Sequence, residues 1–222
     1  MKQLLESIMA ATTLWDWPDP KGQTVLRTVR DHLLWSYSAL TVTRIAMECL
    51  KAGKPNPYSN GRTTPTNKML KKYRTLKMNI SDLDRDDQLA QGGSVVCAHF
   101  GCSAQKLEYD HLIPRSKIKG KYIPLNQVRS CRQCNSRRGN KDLMIWHRQN
   151  KTFPSLAVLR RYLKLCSGYA EQRECLGDLA TDASKNGLPF DPVALPRKLP
   201  PLEQLVWDYA YPEFWPAQDE VT

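Results

Sequence analysis

No apolar stretch in this 222-residue chain approaches the about 18 to 20 residues that a helix needs to cross a bilayer, so no membrane partner is expected. The N-terminus, MKQLLESIMAATTLWDW, lacks the uninterrupted apolar core of a secretory leader, being broken at Glu6. It reads as a short amphipathic helix over residues 2–13, and the expected location is the cytoplasm. An even cysteine count is also missing. The seven cysteines, at 49, 97, 102, 131, 134, 166 and 175, argue against a disulfide framework. There is no internal repeat and no low-complexity tract. Acidic side chains are scarce in one window: residues 91–150 hold 3 against 11 basic ones, or +8. Residues 1–90 hold 14 basic and 9 acidic (+5), and residues 151–222 hold 8 and 10 (−2). A phosphate backbone is the commonest partner for such a field, because each neutralised phosphate releases condensed counterion. A solvated basic surface that merely maintains solubility has the same composition.

With 41% hydrophobic and 25% charged residues, the chain reads as a globular protein of the α+β class, mostly helical, in three regions. Residues 1–90 form a helical, basic region. It contains the turn WDWPDPKG, a long apolar-patterned helix from Thr24 to about Ala52, and a turn-rich segment over 54–66. A basic helix from Asn67 to about Met78 and the acidic run SDLDRDDQ (81–88) follow. Residues 91–150 change character. Short segments, SVVC and KLEYDHLI, are separated by glycine and by the basic loop RSKIKGKYIP, which reads as a small two-stranded element. Ser130 and Gln133 have the spacing of a capping box, so a short helix should begin there. Gly139 is its natural stop, and Asn140 can cap the next helix, to about Asn150. Residues 151–222 hold a helix from Pro154 to about Cys175 and a tail rich in proline and aromatics. Cys49, Cys166 and Cys175 read as buried packing residues.

The other four cysteines form two tight pairs. Cys97-x4-Cys102 and Cys131-x2-Cys134 suit one tetrahedral zinc, and the residues between the pairs can fold back as a hairpin. Zinc would staple a segment too small to build a core by itself. His99 could replace one cysteine, although a four-cysteine set needs no substitute.

Between the pairs lies LEYDHLIPRSK, and Asn135 follows the second pair. Here the chain resembles the HNH (ββα-metal) nuclease family. That family has a cysteine pair, an Asp-His on the first strand, an asparagine in the returning segment, and Cys-x2-Cys-Asn opening a helix. The matching residues are Asp110-His111, Asn126 in PLNQVRSC, and Cys131-Arg-Gln-Cys134-Asn135. The resemblance implies a small ββα nuclease core, between about Cys97 and Lys141, flanked by helical regions. It implies Asp110 and Asn135 as oxygen ligands to one Mg²⁺ or Mn²⁺ ion. It also implies His111 as the general base that deprotonates the attacking water, and Asn126 as a residue orienting His111 by fixing the loop. Hard carboxylate and amide oxygens suit magnesium while soft thiolates suit zinc, so two metals can sort themselves by ligand type. Two departures stand out. The first cysteine pair has a four-residue gap where two is more usual, and the basic loop lacks the paired glycines often found after the proline.

The charge around these motifs is of the right sign for DNA. Arg115, Lys117, Lys119 and Lys121 fall on the loop between the strands, and Arg137, Arg138 and Lys141 at the end of the short helix. They are expected to contact phosphates without reading sequence. The basic helix at 67–78 either extends this footprint or is an ordinary amphipathic helix with an exposed cationic face. The expected function is a metal-dependent DNA endonuclease. The alternatives are a zinc-stabilised nucleic-acid-binding module without catalysis, and a nuclease subunit active only within a larger complex. A protein partner or a homodimer is left open. The tail aromatics Trp207, Tyr209, Tyr211, Phe214 and Trp215 either dock a partner or pack back on the core.

Overall fold

The computed structural model describes residues 24–80, 96–118, 124–182, 185 and 187–209. The expected N-terminal helix at 2–13, the turn at 15–22, the acidic run at 81–88, Lys119, Lys121, Tyr211, Phe214 and Trp215 lie outside the described residues. Within them the chain forms five α-helices and one two-stranded antiparallel sheet, an α+β architecture that is mostly helical. None of the described helices is long and apolar enough to cross a membrane.

Helix α1 spans Val29–Lys51 and starts at a complete capping box. Thr28 Oγ1 accepts from the Asp31 amide at 3.2 Å, and the Asp31 carboxylate accepts from the Thr28 amide at 3.2 Å. These bonds satisfy donors that a helix start otherwise leaves unpaired. Leu33 and Trp35 are buried and Leu34 is half-buried between them, so this helix is covered on more than one side. Cys166 and Cys175 are buried as expected, while Cys49 is only half-buried.

Helix α2 spans Thr63–Arg74, starting and stopping four residues before the expected 67–78. Pro65 is tolerated because first-turn amides have no intrahelical acceptor, and Leu76 takes a left-handed φ of 56°, which ends the helix before Met78. Its inner face, Thr66, Leu70 and Tyr73, is buried, while Lys68, Lys71, Lys72 and Arg74 point outward. Tyr73 stacks edge-on against Tyr37 of α1 at 5.6 Å.

Strand β1 (Leu107–His111) pairs with β2 (Gln127–Cys131), Leu107 opposite Cys131 and His111 opposite Gln127. Of the expected SVVC strand, Ser94 and Val95 lie outside the described residues, and Val96 forms an isolated bridge with Ser103. Helix α3 (Arg132–Arg138) follows β2 directly. Its cap is Cys131, whose sulfur accepts from the Cys134 amide, and not Ser130, whose hydroxyl lies on the Cys131 carbonyl and near Cys97 Sγ. Gly139, with φ of 52°, ends α3 as expected. Asp142 and not Asn140 caps α4 (Leu143–Gln149), because its carboxylate accepts from the Met144 and Ile145 amides. Helix α5 spans Leu156–Gln172.

The larger hydrophobic cluster draws on α1 (Val29, Leu33, Leu40), the segment after β1 (Leu112, Ile113), α4 (Leu143, Met144), α5 (Leu159, Tyr162, Leu163) and Leu205. Leu112 and Ile113 have no exposed surface, so the end of β1 is anchored in the core built by the flanking helices. Arg161 of α5 donates to the Leu125 carbonyl at 2.6 Å, tying that helix to the turn before β2. Of the tail aromatics, Trp207 packs on this core and its carbonyl accepts from the Ala157 amide. Tyr209 lies against Gly101, where a Cβ would sit 2.8 Å from its ring. Both pack back onto the chain.

Candidate active site and metal centre

The hairpin register brings the two cysteine pairs together. One ligand atom from each of Cys97, Cys102, Cys131 and Cys134 lies within 4.8 Å of the others. A tetrahedral zinc with Zn–S bonds of about 2.3 Å spaces its sulfurs about 3.8 Å apart, and Cys102 Sγ and Cys134 Sγ are 3.9 Å apart. Burial pushes the Cys134 thiol strongly up, and its sulfur neighbours push it further. Such a cluster calls for a cation to hold it as thiolates. The donor set therefore fits zinc. His99, on the knuckle between Cys97 and Cys102, is not part of it, because its Nε2 is 2.7 Å from Asp110 Oδ2. Cys97, Leu107, Cys131, Cys134 and Trp146 form a second, smaller hydrophobic cluster around the four sulfurs.

His111 ends β1 and is half-buried. Burial lowers its pKa and the Arg115 charge lowers it further, against the opposing influence of Asp110, so the imidazole is neutral at neutral pH. Asn126 fixes the backbone that follows. Its Oδ1 accepts from the Ile113 amide at 2.8 Å, its Nδ2 donates to the Ile113 carbonyl at 2.8 Å, and its carbonyl accepts from the Leu112 amide at 2.9 Å. The side chain that touches the imidazole is Gln127, whose Nε2 is 3.1 Å from His111 Nε2. An amide nitrogen only donates, so His111 Nε2 accepts here and Nδ1 carries the ring hydrogen; with the amide reversed, Nε2–H would donate and Nδ1 would hold the free lone pair. The cross-strand pairing of His111 with Gln127 is the only sequence-level sign of that contact, and it becomes visible only once the register is known.

Asp110 sits 3% exposed, on the face of β1 turned toward α3. Arg138 donates from Nη2 to Oδ1 at 2.6 Å and from Nε to Oδ2 at 2.8 Å, and Oδ2 also receives His99. Burial raises the pKa of this carboxyl, but the His99 and Arg138 hydrogen bonds and the Arg138 charge outweigh it and hold it below the usual carboxylate range. The rest of the guanidinium is also engaged: Nη1 donates to the carbonyls of Lys141 (3.0 Å) and Leu112 (3.4 Å), and Nη2 to that of His111. Arg138 is 1% exposed. This corrects its expected role, since a buried guanidinium that braces β1 against α3 is not placed to contact phosphates.

Asn135, one turn before Arg138, engages Glu108. Its Nδ2 is 3.3 Å from Glu108 Oε2. Glu108 was not singled out from the sequence, yet the two-residue period of a strand puts it on the same face as Asp110. The pair implied for a divalent cation, Asp110 and Asn135, has suitable hard oxygens. As arranged, though, both Asp110 oxygens already accept from Arg138 and His99. The implied catalytic metal does not fit this conformation. Of the expected phosphate contacts, Arg115, Lys117, Arg137 and Lys141 are exposed. Lys141 Nζ caps the Arg137 carbonyl at 3.1 Å, satisfying a carbonyl in the last turn of α3.

No curated protein and no solved structure matched the chain. The hairpin, the cysteine cluster and the strand end carrying His111 lie in one continuous segment, and that segment, residues 95–141, matches the family model described as HNH endonuclease.

Proposed function

We propose that the protein is an endonuclease that hydrolyses phosphodiester bonds in DNA, with His111 as general base. The observation that carries this reading is the family match over 95–141, which contains a neutral, half-buried imidazole on a strand end held between a paired strand and a buried turn. His111 would take a proton from the attacking water, a role for which an unprotonated ring at neutral pH is required. Asn126 would keep the Leu112–Ile113 backbone, and so the His111 ring, in one position. Arg115, Lys117, Arg137 and Lys141, with Lys119 and Lys121 outside the described residues, would hold the phosphate backbone without reading sequence. Zinc on the four cysteines would hold the hairpin to the start of α3. A divalent cation, Mg²⁺ or Mn²⁺, belongs to this reading through the family. In the observed conformation both Asp110 oxygens are taken by Arg138 and His99, and no step is assigned to that cation.

The second reading is a zinc-stabilised module that binds nucleic acid without cutting it, for which the cysteine cluster and the exposed basic residues suffice. Supercoiled plasmid incubated with zinc-loaded protein in Mg²⁺, Mn²⁺ or EDTA separates the two. Nicking or linearisation that stops in EDTA is the expected result. Retention of plasmid without any cutting, in every metal, would favour the binding module.

A further inference from the structure

Tyr109 and His111 share one face of β1, because side chains alternate along a strand and Glu108 and Asp110 take the other. Across the register Tyr109 stands opposite Arg129, as His111 stands opposite Gln127. Tyr109 is 59% exposed, although Leu107 and Asp110 of the same strand are buried. The Arg129 guanidinium carbon lies 4.7 Å from the centre of the Tyr109 ring. The Arg129 carbonyl accepts from the Ala98 amide at 2.8 Å, which ties the pair to the cysteine knuckle. No carboxylate pairs with Arg129 among the described residues. The contact supports the hairpin and still leaves much of the ring facing solvent, beside the proposed base.

An open ring next to a guanidinium matches what an unpaired nucleotide offers. Bases of every kind stack on tyrosine rings and on guanidinium planes, and the positive charge suits the adjoining phosphate. Inside a duplex the base faces are covered by their neighbours. A ring on a strand therefore reaches a base only where the nucleotide is single-stranded or turned out of the stack. Two residues of strand span about 6.8 Å, so a base on Tyr109 belongs to a nucleotide close to a phosphate at His111. Arg115, just past the strand end, adds a second positive charge near the imidazole.

The geometry points to Tyr109 and Arg129 as a stacking ledge for an unpaired nucleobase beside the scissile phosphate. The substrate class is then nucleic acid with an unpaired nucleotide at the cut, as in a single strand, a gap or a branch. Fully paired, relaxed duplex is the poorer substrate. The torsion of supercoiled plasmid favours opened base pairs, so that DNA meets the requirement as well. This inference rests on the nuclease reading and narrows it.

The test measures binding of the full, zinc-loaded chain to a short fluorescent single strand and to the same sequence fully paired. Fluorescence anisotropy is followed without added divalent cation, so that nothing is cut, for wild type, Tyr109→Ala and Tyr109→Phe. Tyr109→Ala is expected to weaken single-strand binding by at least about tenfold, or roughly 1.4 kcal/mol. Duplex binding should change less than about twofold, and Tyr109→Phe, which keeps the ring, should bind like wild type. Equal weakening on both DNAs, no weakening on either, or the same loss in Tyr109→Phe overturns the inference. So does a wild type that binds duplex but not single strand. Should Tyr109→Ala fail to fold, photocrosslinking of the wild type to a single strand carrying iodouracil decides. A crosslink mapped to Tyr109 supports the ledge, and crosslinks only elsewhere, or none, overturn it. Plasmid cutting by a wild type whose single-strand affinity ignores Tyr109→Ala sinks this inference alone. A chain that neither binds nor cuts either DNA takes the nuclease reading with it.

Discussion

Individual side chains decide what this site can do, and two neighbours on α3 show how little sequence says about depth. Arg137 and Arg138 are adjacent and chemically identical, yet a helix turns about 100° per residue. One is exposed and the other lies beneath the hairpin on Asp110. Net charge marks the segment as basic but does not tell which cation faces solvent. Motif spacing singled out Asp110, His111, Asn126 and the four cysteines, and the structure brings the four sulfurs together. Glu108 and Gln127 were not, because their meaning depends on strand face and register. Asn126 carries the clearest prediction at this scale. Asn126→Ala removes two hydrogen bonds to Ile113 and leaves a buried amide and carbonyl unsatisfied, at a cost of about 1–3 kcal/mol for each orphaned group. Thermal unfolding should show a clear drop in midpoint, and the surviving folded protein should cut plasmid more slowly. An unchanged midpoint would mean that the turn after His111 does not depend on Asn126.

Among the elements, α1 was the easiest to read and the hairpin the hardest. The apolar pattern of α1 gave its existence and its end, but the start expected at Thr24 falls at Val29, where Thr28 and Asp31, a threonine-x-x-acid pair not singled out from the sequence, make both reciprocal bonds. Thr28→Ala should cost about 1 kcal/mol, the usual value for a lost N-cap, measured by urea unfolding. Asp31 adds a pH dependence. Burial pushes its pKa up, but the Arg27 and Thr28 amides and the Arg74 guanidinium, 2.5 Å away, outweigh burial and lower it below the ordinary aspartate value of 3.8. With the folded pKa below the unfolded one, its stabilisation is fully present above about pH 3.8 and is lost as pH falls through the folded value. Asp31→Asn should therefore lower stability at neutral pH and reduce the additional loss of stability below pH 3.8. Identical acid limbs in the two proteins would contradict this. The same rules misplace the caps near the cysteines. There a sulfur, Cys131 Sγ, takes the role that the spacing gives to Ser130, because the cysteine must point inward toward its three partners.

At the scale of the whole molecule, two hydrophobic clusters hold β1, one at Leu107 where it starts and one at Leu112 and Ile113 just past its end. The larger one, built by α1, α4 and α5, buries Leu112 and Ile113. The smaller one surrounds the four sulfurs and includes Trp146. Hydrophobic periodicity predicts that such helices exist but not which strand end they clamp, since packing partners distant in sequence leave no local trace. Zinc removal should act mainly on the smaller cluster. Cys134→Ser, or prolonged chelation, is expected to change the near-ultraviolet signal of Trp146 and to abolish cutting, while far-ultraviolet circular dichroism retains most of its helical signal. Complete loss of helix would show instead that the larger core depends on zinc. The measurement that bears most directly on the central claim compares wild type with His111→Ala on supercoiled plasmid, at matched zinc content and matched DNA affinity, in Mn²⁺. The account predicts a rate lower by about 10² to 10⁴, the usual contribution of a positioned general base. Cutting by His111→Ala at the wild-type rate would contradict it and place the chemistry elsewhere.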